Sequence, residues 1–235
     1  MPTDWYYIYS DRYLPFHYYL QDKINRVHFT PQGIPIDQAV FDKDLYKHKG
    51  EHFFSRISVK VDNIVQILKD RIAGGNQEPF FFSDCDILVG AYAVESLPVY
   101  TEQKLIDCWF QKEHNNETVA NPGFILVRAN HRTLAFWSGV QDDIVLRNMM
   151  EMKSINDRLS GPNGPPGIIW QLFDTTTVCS SLTRGQKDFG VYHILCGCKS
   201  RQEDMMDKYI EANLQGHPMD IYVDQAIAKL GAIVW

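Results

Sequence analysis

Long apolar runs are missing from this 235-residue chain. None reaches the ~18–20 residues a helix needs to cross a bilayer. The amino-terminal Met1-Pro2-Thr3-Asp4 shows no charged-then-apolar signal pattern, so a soluble, cytoplasmic protein with no membrane span is expected. Basic blocks are missing too: 23 Lys and Arg stand against 29 Asp and Glu, a net charge of −6. That balance argues against a nucleic-acid binder or a peripheral membrane protein. An anionic small ligand stays open, because a metal and a few local cations would hold it. Cysteines are few, scattered and odd in number: Cys85, Cys108, Cys179, Cys196 and Cys198. They fit buried thiols in a reducing compartment, not a disulfide framework. Cys196-Gly197-Cys198 beside His193 lacks the second Cys pair that a structural zinc site needs. The Asn116-Glu117-Thr118 sequon carries no weight without a sign of secretion. Internal repeats and low-complexity tracts are absent as well.

What is present in quantity is aromatic: 12 Tyr, 13 Phe and 5 Trp. That is enough for a large core and a stacking surface besides. Trp5 to Ser10 reads as a first strand ending at Asp11, and Leu14 to Ile24 as a helix. Phe29 to Ile36 is a second short strand or extended segment, and residues 42–51 form a charged connector. Apolar residues from Phe53 to Ile72 recur at helical spacing up to Gly74-Gly75. Strands are expected at Phe80–Val89, Leu105–Phe110, Gly123–Arg128, Ile168–Phe173 and Phe189–Leu195. Helices are expected at Leu134–Met150, 201–214 and 220–230. Residues 160–167, rich in Gly and Pro, make a rigid loop. Strands alternating with helices imply one α/β domain with a mixed, mostly parallel sheet. The apolar Ala232-Ile233-Val234-Trp235 is read as a last strand or the cut edge of a longer polypeptide with further domains.

Phe80-Phe81-Phe82-Ser83-Asp84-Cys85-Asp86-Ile87-Leu88-Val89 is the most informative stretch. Two carboxylates, one residue apart, interrupt an apolar run read as a single central strand. Desolvating two ionised carboxylates is costly unless a cation compensates them. A divalent metal held by oxygen ligands does so most simply; a strand end whose acids point into water is the plainer account. Ligands of open α/β sheets bind beyond the carboxyl ends of the strands. Ser10 and Asp11, Asp84 and Asp86, and His193 are all expected at that edge. Hard oxygens with one imidazole suit Mn²⁺ or Mg²⁺.

Phe81-Phe82-Ser83-Asp84-Cys85-Asp86-Ile87 resembles the signature of GT-A-fold nucleotide-diphospho-sugar glycosyltransferases, a group that includes small domains encoded by large algal viruses. Four more elements fall in that family's order. Phe53 to Leu68, with Arg56 and Lys60, is similar to the helix preceding the motif. Asn121-Pro122-Gly123-Phe124-Ile125 resembles its N-x-G-F segment. Asp143 followed by Asn148 resembles a D-Q-x-x-x-N helix motif, with Ile144 where Gln is expected. His193 with Gly197 and Lys199 resembles a late H…G…K element, though at a less familiar spacing.

The resemblance implies a GT-A-like fold with a Rossmann-like nucleotide-binding half, and transfer of a hexosyl or deoxyhexosyl group from a nucleotide sugar, a UDP-sugar by family habit, to a glycan or other hydroxyl acceptor. It implies that Asp84, Asp86 and His193 hold the metal. Tyr9, Ser10 and Asp11 would receive base and ribose. Arg56, Lys60, Ser83, Cys85 and Lys199 would line the donor, and Asp107 and Asn121 would face its sugar. Asp142 and Asp143 would stand near the acceptor, Asp143 as base if the sugar is inverted. With retention, to which the late histidine points, the leaving phosphate takes the proton. Each residue also has a plainer reading: His193 as a core histidine, Arg56 and Lys60 as a solvated helix flank, Asp142 and Asp143 as surface acids.

Two competing readings remain. A haloacid-dehalogenase-like phosphatase also uses Asp-x-Asp after an apolar strand, but there the motif comes first in the chain. A binding module for nucleotide sugars or carbohydrate that has lost turnover would keep the acids without the chemistry.

Overall fold

Side chains alternate between the two faces of an extended strand, and here both faces are apolar. On β1 (Asp4–Tyr9), Trp5 and Tyr7 join one core, and Tyr6 and Ile8 pack on another. On β3 (Pro79–Ser83), Phe81 enters the first core while Phe80 and Phe82 enter the second. All three rings are fully buried, each contributing about 2–3 kcal/mol over exposure. A sheet apolar on both faces must be covered on both, which dictates three layers.

The computed structural model describes residues 2–37, 51–115, 118–161, 167–183, 189–195 and 201–230; side chains of 51–57, 201–204, 206 and 230 fall outside the description. The central six-stranded sheet has the order β2-β1-β3-β6-β5-β7, with β2 at Thr30–Pro35, β5 at Cys108–Lys112, β6 at Ala120–Arg128 and β7 at Trp170–Leu172. β6 runs antiparallel to β3 and β5, and the other pairings are parallel, so the expected mixed, mostly parallel α/β sheet is present. One face is covered by α2 (Glu51–Ala73), α4 (His131–Arg147) and α5 (Glu151–Ser160), through Ile64, Leu68, Phe136, Trp137 and Ile155. The other is covered by α1 (Leu14–Arg26), α3 (Ala93–Thr101), α6 (Arg201–Leu214) and α7 (Asp220–Leu230), together with a second sheet of order β4-β9-β8. Its strands are β4 (Ile87–Val89), β8 (Val178–Ser180) and β9 (Val191–His193). Among the described residues, no helix is long and apolar enough to cross a membrane.

The expected single strand over Phe80–Val89 is a correction. It divides into β3 and β4, which belong to different sheets, and Asp84-Cys85-Asp86 is the non-strand turn between them. The turn is pinned at both ends: the Asp84 N–H donates to the Gly123 carbonyl at 2.8 Å, and the Ile194 N–H to the Asp86 carbonyl at 3.0 Å. Leu105 and Ile106 also lie outside a strand, since β5 opens only at Cys108 and Leu105 is exposed. The helices α3 and α5 and the strand β8 carry too short a pattern to be legible beforehand. The charged connector up to residue 50, the loop core at 162–166 and Cys196-Gly197-Cys198 lie outside the described residues; Glu51, expected in the connector, opens α2.

Candidate functional site

Parallel strands β1 and β3 end side by side, which sets Ser10 and Asp84 on the same sheet edge. β9 brings His193 there from the second sheet, where it pairs with Ile87, one residue after Asp86. His193 Nε2 lies 3.4 Å from Asp86 Oδ1 and 3.7 Å from Asp84 Oδ2. One ligand atom from each of the three residues fits within 4.8 Å of the others. The imidazole is aimed by its far side, where Nδ1 sits 3.0 Å from the Gln111 side-chain oxygen. A metal-ligating histidine usually anchors its far ring nitrogen on such a partner, and this contact orients the ring so that Nε2 faces the two acids. Gly123 is required for this packing, because a Cβ at 123 would overlap the His193 ring. Two carboxylate oxygens and one imidazole nitrogen form a donor set suited to Mn²⁺ or Mg²⁺.

Two buried lysines stand behind the acids. Lys60, on α2, donates to Asp84 Oδ1 at 2.8 Å and to the Pro122 carbonyl at 2.7 Å, and lies 3.5 Å from Glu151 Oε1. Lys208, on α6, donates to Asp86 Oδ2 at 2.6 Å and to the Ile194 carbonyl at 3.1 Å. Burial opposes ionisation of Asp86, but Lys208 and His193 outweigh it and hold its carboxyl well below the usual range. Burial also opposes the charge on Lys60, and here Asp84 and Glu151 win, holding it above the ordinary lysine value. Glu151 goes the other way: burial, helped by the Asp84 charge, pushes it up to about 7 against the pull of Lys60. Cys85 is a buried thiol driven well above its ordinary value by burial and both neighbouring acids, which makes it a poor nucleophile.

Other residues singled out from the sequence fall in three places. On the same edge, Tyr9 stacks on His17 with ring centroids 3.8 Å apart, and Asp11 opens a short 3₁₀ turn. Ser10 is buried with its hydroxyl unpartnered among the described residues. Asn121 is there too, its oxygen accepting the Gly123 N–H at 2.7 Å and its amide donating to Glu113. Ser83 is buried and accepts the Trp5 indole N–H at 2.9 Å.

A second group is held by structural partners. Asp107 precedes β5, so it lies at the opposite, amino-terminal edge of the sheet from Asp84. Both its oxygens are taken, by Arg132, Asn130 and the Ile169 N–H at 2.7–3.0 Å. Asp143 is buried between α4 and α5, where Ser154 and Arg158 each donate to Oδ2 at 2.7 Å and Arg147 lies 3.2 Å from Oδ1. Those partners outweigh burial and hold its carboxyl below the ordinary value. Asp142 is exposed on α4. Ile144 is a core residue, and Asn148 ends α4 in the left-handed conformation that asparagine tolerates. The remaining group lies outside the description: Lys199 and Gly197 altogether, and the Arg56 side chain.

Sequence reasoning missed Gln111, Glu151 and Lys208. Gln111 is a fully buried amide ending an apolar strand, a signal that was available. Lys208 shares helical spacing with buried Met205 and Ala212, so it sits on the inward face of α6.

No protein-family model matches this sequence, and no curated protein does either. Similarity is found among solved structures. A glycosyltransferase involved in the glycosylation of the major capsid of PBCV-1 superposes with a TM-score of 0.58 at 15% identity, covering 89% of this chain and 100% of that one. The glycosyltransferase GlyE of Streptococcus pneumoniae TIGR4, in its apo form, gives 0.49 at 10% identity over 97% of this chain and 64% of that one. The chain thus has a GT-A-like glycosyltransferase fold resembling that of the viral enzyme.

Proposed function

We propose that this chain is a metal-dependent glycosyltransferase that takes a sugar from a nucleoside-diphosphate donor, a UDP-sugar by preference, and transfers it to a hydroxyl acceptor on a glycan. The observation that carries this reading is the convergence of Asp84, Asp86 and His193 at the carboxyl edge of a sheet with this fold. Asp84, Asp86 and His193 would hold Mn²⁺ or Mg²⁺, which supplies Lewis-acid stabilisation of the diphosphate as it departs. Tyr9, Ser10 and Asp11 lie on the same edge, one strand over, where a base and ribose would extend. Asn121, bonded to the Gly123 N–H beside His193, would meet the donor sugar. Asp143 is engaged by Arg158 and Ser154 and held ionised, which makes it a weak base. Its engagement favours the retaining route, in which the leaving phosphate accepts the acceptor proton. The whole chain is proposed to act as one domain.

Thermal unfolding with a panel of nucleotides and nucleotide sugars, with and without Mn²⁺, tests the reading. Ligand binding to the native state raises stability by RT ln(1 + [L]/Kd). A Mn²⁺-dependent rise with one nucleotide sugar, lost in Asp86→Asn, is the expected result, followed by release of the free nucleotide on adding acceptor glycans. No rise with any member of the panel would sink the reading. A rise without nucleotide release would leave a binding module.

A further inference from the structure

Each carboxylate of the cluster has two oxygens, and the chain uses them differently. Asp84 gives Oδ1 to Lys60 and turns Oδ2 toward His193; Asp86 gives Oδ2 to Lys208 and turns Oδ1 toward His193. Each acid therefore has one oxygen tied back by a buried ammonium and one left for the cup. Resting on the reading above of this cluster as the donor site, we propose that Lys60 and Lys208 are positioning residues that keep the cation site nearly neutral, so that it fills together with the nucleoside diphosphate instead of ahead of it.

The argument is one of charge. The two carboxylates present −2, which alone would draw a divalent cation strongly. The two ammonium groups cancel that, and Glu151, behind Lys60, restores at most one negative charge. Both lysines are buried, with side-chain exposures of 6% and 4%, so water and salt screen them little. A divalent cation arriving alone therefore meets two fixed positive charges within a few ångströms of its ligands. A diphosphate brings the negative charge that the lysines have removed. By linkage, the nucleotide then raises cation affinity by the same factor as the cation raises nucleotide affinity. Lys208 comes from α6, remote in sequence, so the docking of that helix becomes part of the site.

Titration with Mn²⁺, reading free ion by electron paramagnetic resonance, tests this on the full chain, alone and with excess UDP or GDP. Wild type alone is expected to bind weakly, and the nucleotide to tighten binding by roughly tenfold or more. Lys208→Met is expected to bind Mn²⁺ alone roughly tenfold or more tighter than wild type and to lose most of the nucleotide coupling. Lys60→Met carries the same expectation should Lys208→Met fail to fold, and the wild-type comparison needs no variant. Wild type that binds Mn²⁺ equally tightly with and without nucleotide, or a folded variant with unchanged affinity, overturns the proposal and leaves the donor-site reading standing. No Mn²⁺ binding under any condition overturns both.

Discussion

Asp86 and Asp107 pose the same physical problem at opposite edges of one sheet, and the chain treats them differently. Both are acids in apolar surroundings, and both have a basic partner within hydrogen-bond distance. Asp107 is saturated: Arg132 and Asn130 share one oxygen, and Arg132 and the Ile169 N–H share the other. Asp86 is held differently, with Lys208 on Oδ2 and Oδ1 facing His193 Nε2 at 3.4 Å. An acid inside an apolar stretch is therefore no site in itself. What marks the candidate site is an acid whose oxygen faces other potential metal ligands, here Asp84 and His193, where Asp107 faces only saturating donors.

The sharpest way to break the comparison is to neutralise each acid in turn. Asp86→Asn is expected to abolish Mn²⁺-dependent nucleotide binding, a loss of roughly a hundredfold or more, read by calorimetry. Asp107→Asn should leave nucleotide affinity within about twofold and lower stability by roughly 1–3 kcal/mol, read by urea unfolding. Equal losses of binding in both variants would erase the distinction drawn between the edges.

A subtler disturbance keeps every ligand and moves one. In Gly123→Ala the new Cβ occupies the space of the His193 ring. Mn²⁺ affinity should fall by about tenfold or more while the fold survives. An unchanged affinity would mean that His193 does not contribute.

The smallest effect concerns pH. Glu151 is raised from 4.5 to about 7 in the folded protein. An acid with a raised folded pKa binds more protons in the native state, so stability falls as pH rises from about 4.5 to about 7. Asp86 and Asp143, both depressed, act in the opposite sense and at lower pH: their stabilisation is present above about 3.8 and is lost as pH falls below it. Glu151→Gln should flatten the decline between pH 4.5 and 7, a difference of roughly 1–3 kcal/mol across the window. A decline that persists in the variant would assign it to other groups.

Much of this was legible in the sequence, and the failures have physical causes. Asp84 and Asp86 stand out because ionised groups within Phe80–Val89 demand compensation, and His193 because it closes a late strand at the same edge and fits the resemblance. Helices α6 and α7 follow from their periodicity. The division of Phe80–Val89 between two sheets could not be seen, because both strands are fully buried and a buried strand carries no alternation. Asp107 misled, since its saturation depends on Arg132 and Ile169, neither of which sequence places beside it. Lys208 stayed hidden for the converse reason: a lysine in a charged helix reads as solvated until the helix is docked. Asp143 and Asn148 were singled out by resemblance, and the structure shows what they do within the fold. One ties α4 to α5, and the other ends α4.

The turn carrying the two acids has a mechanical consequence. Asp84 is stitched by its backbone to the large sheet at Gly123, and Asp86 to the small sheet at Ile194. Any ion or ligand gripping both acids would act as a clasp across the seam between the two sheets, stiffening the joint as it closes. The seam amides of Asp84 and Ile194 would then exchange with solvent more slowly when the clasp is shut, so that binding is felt as a change in the rigidity of the whole edge.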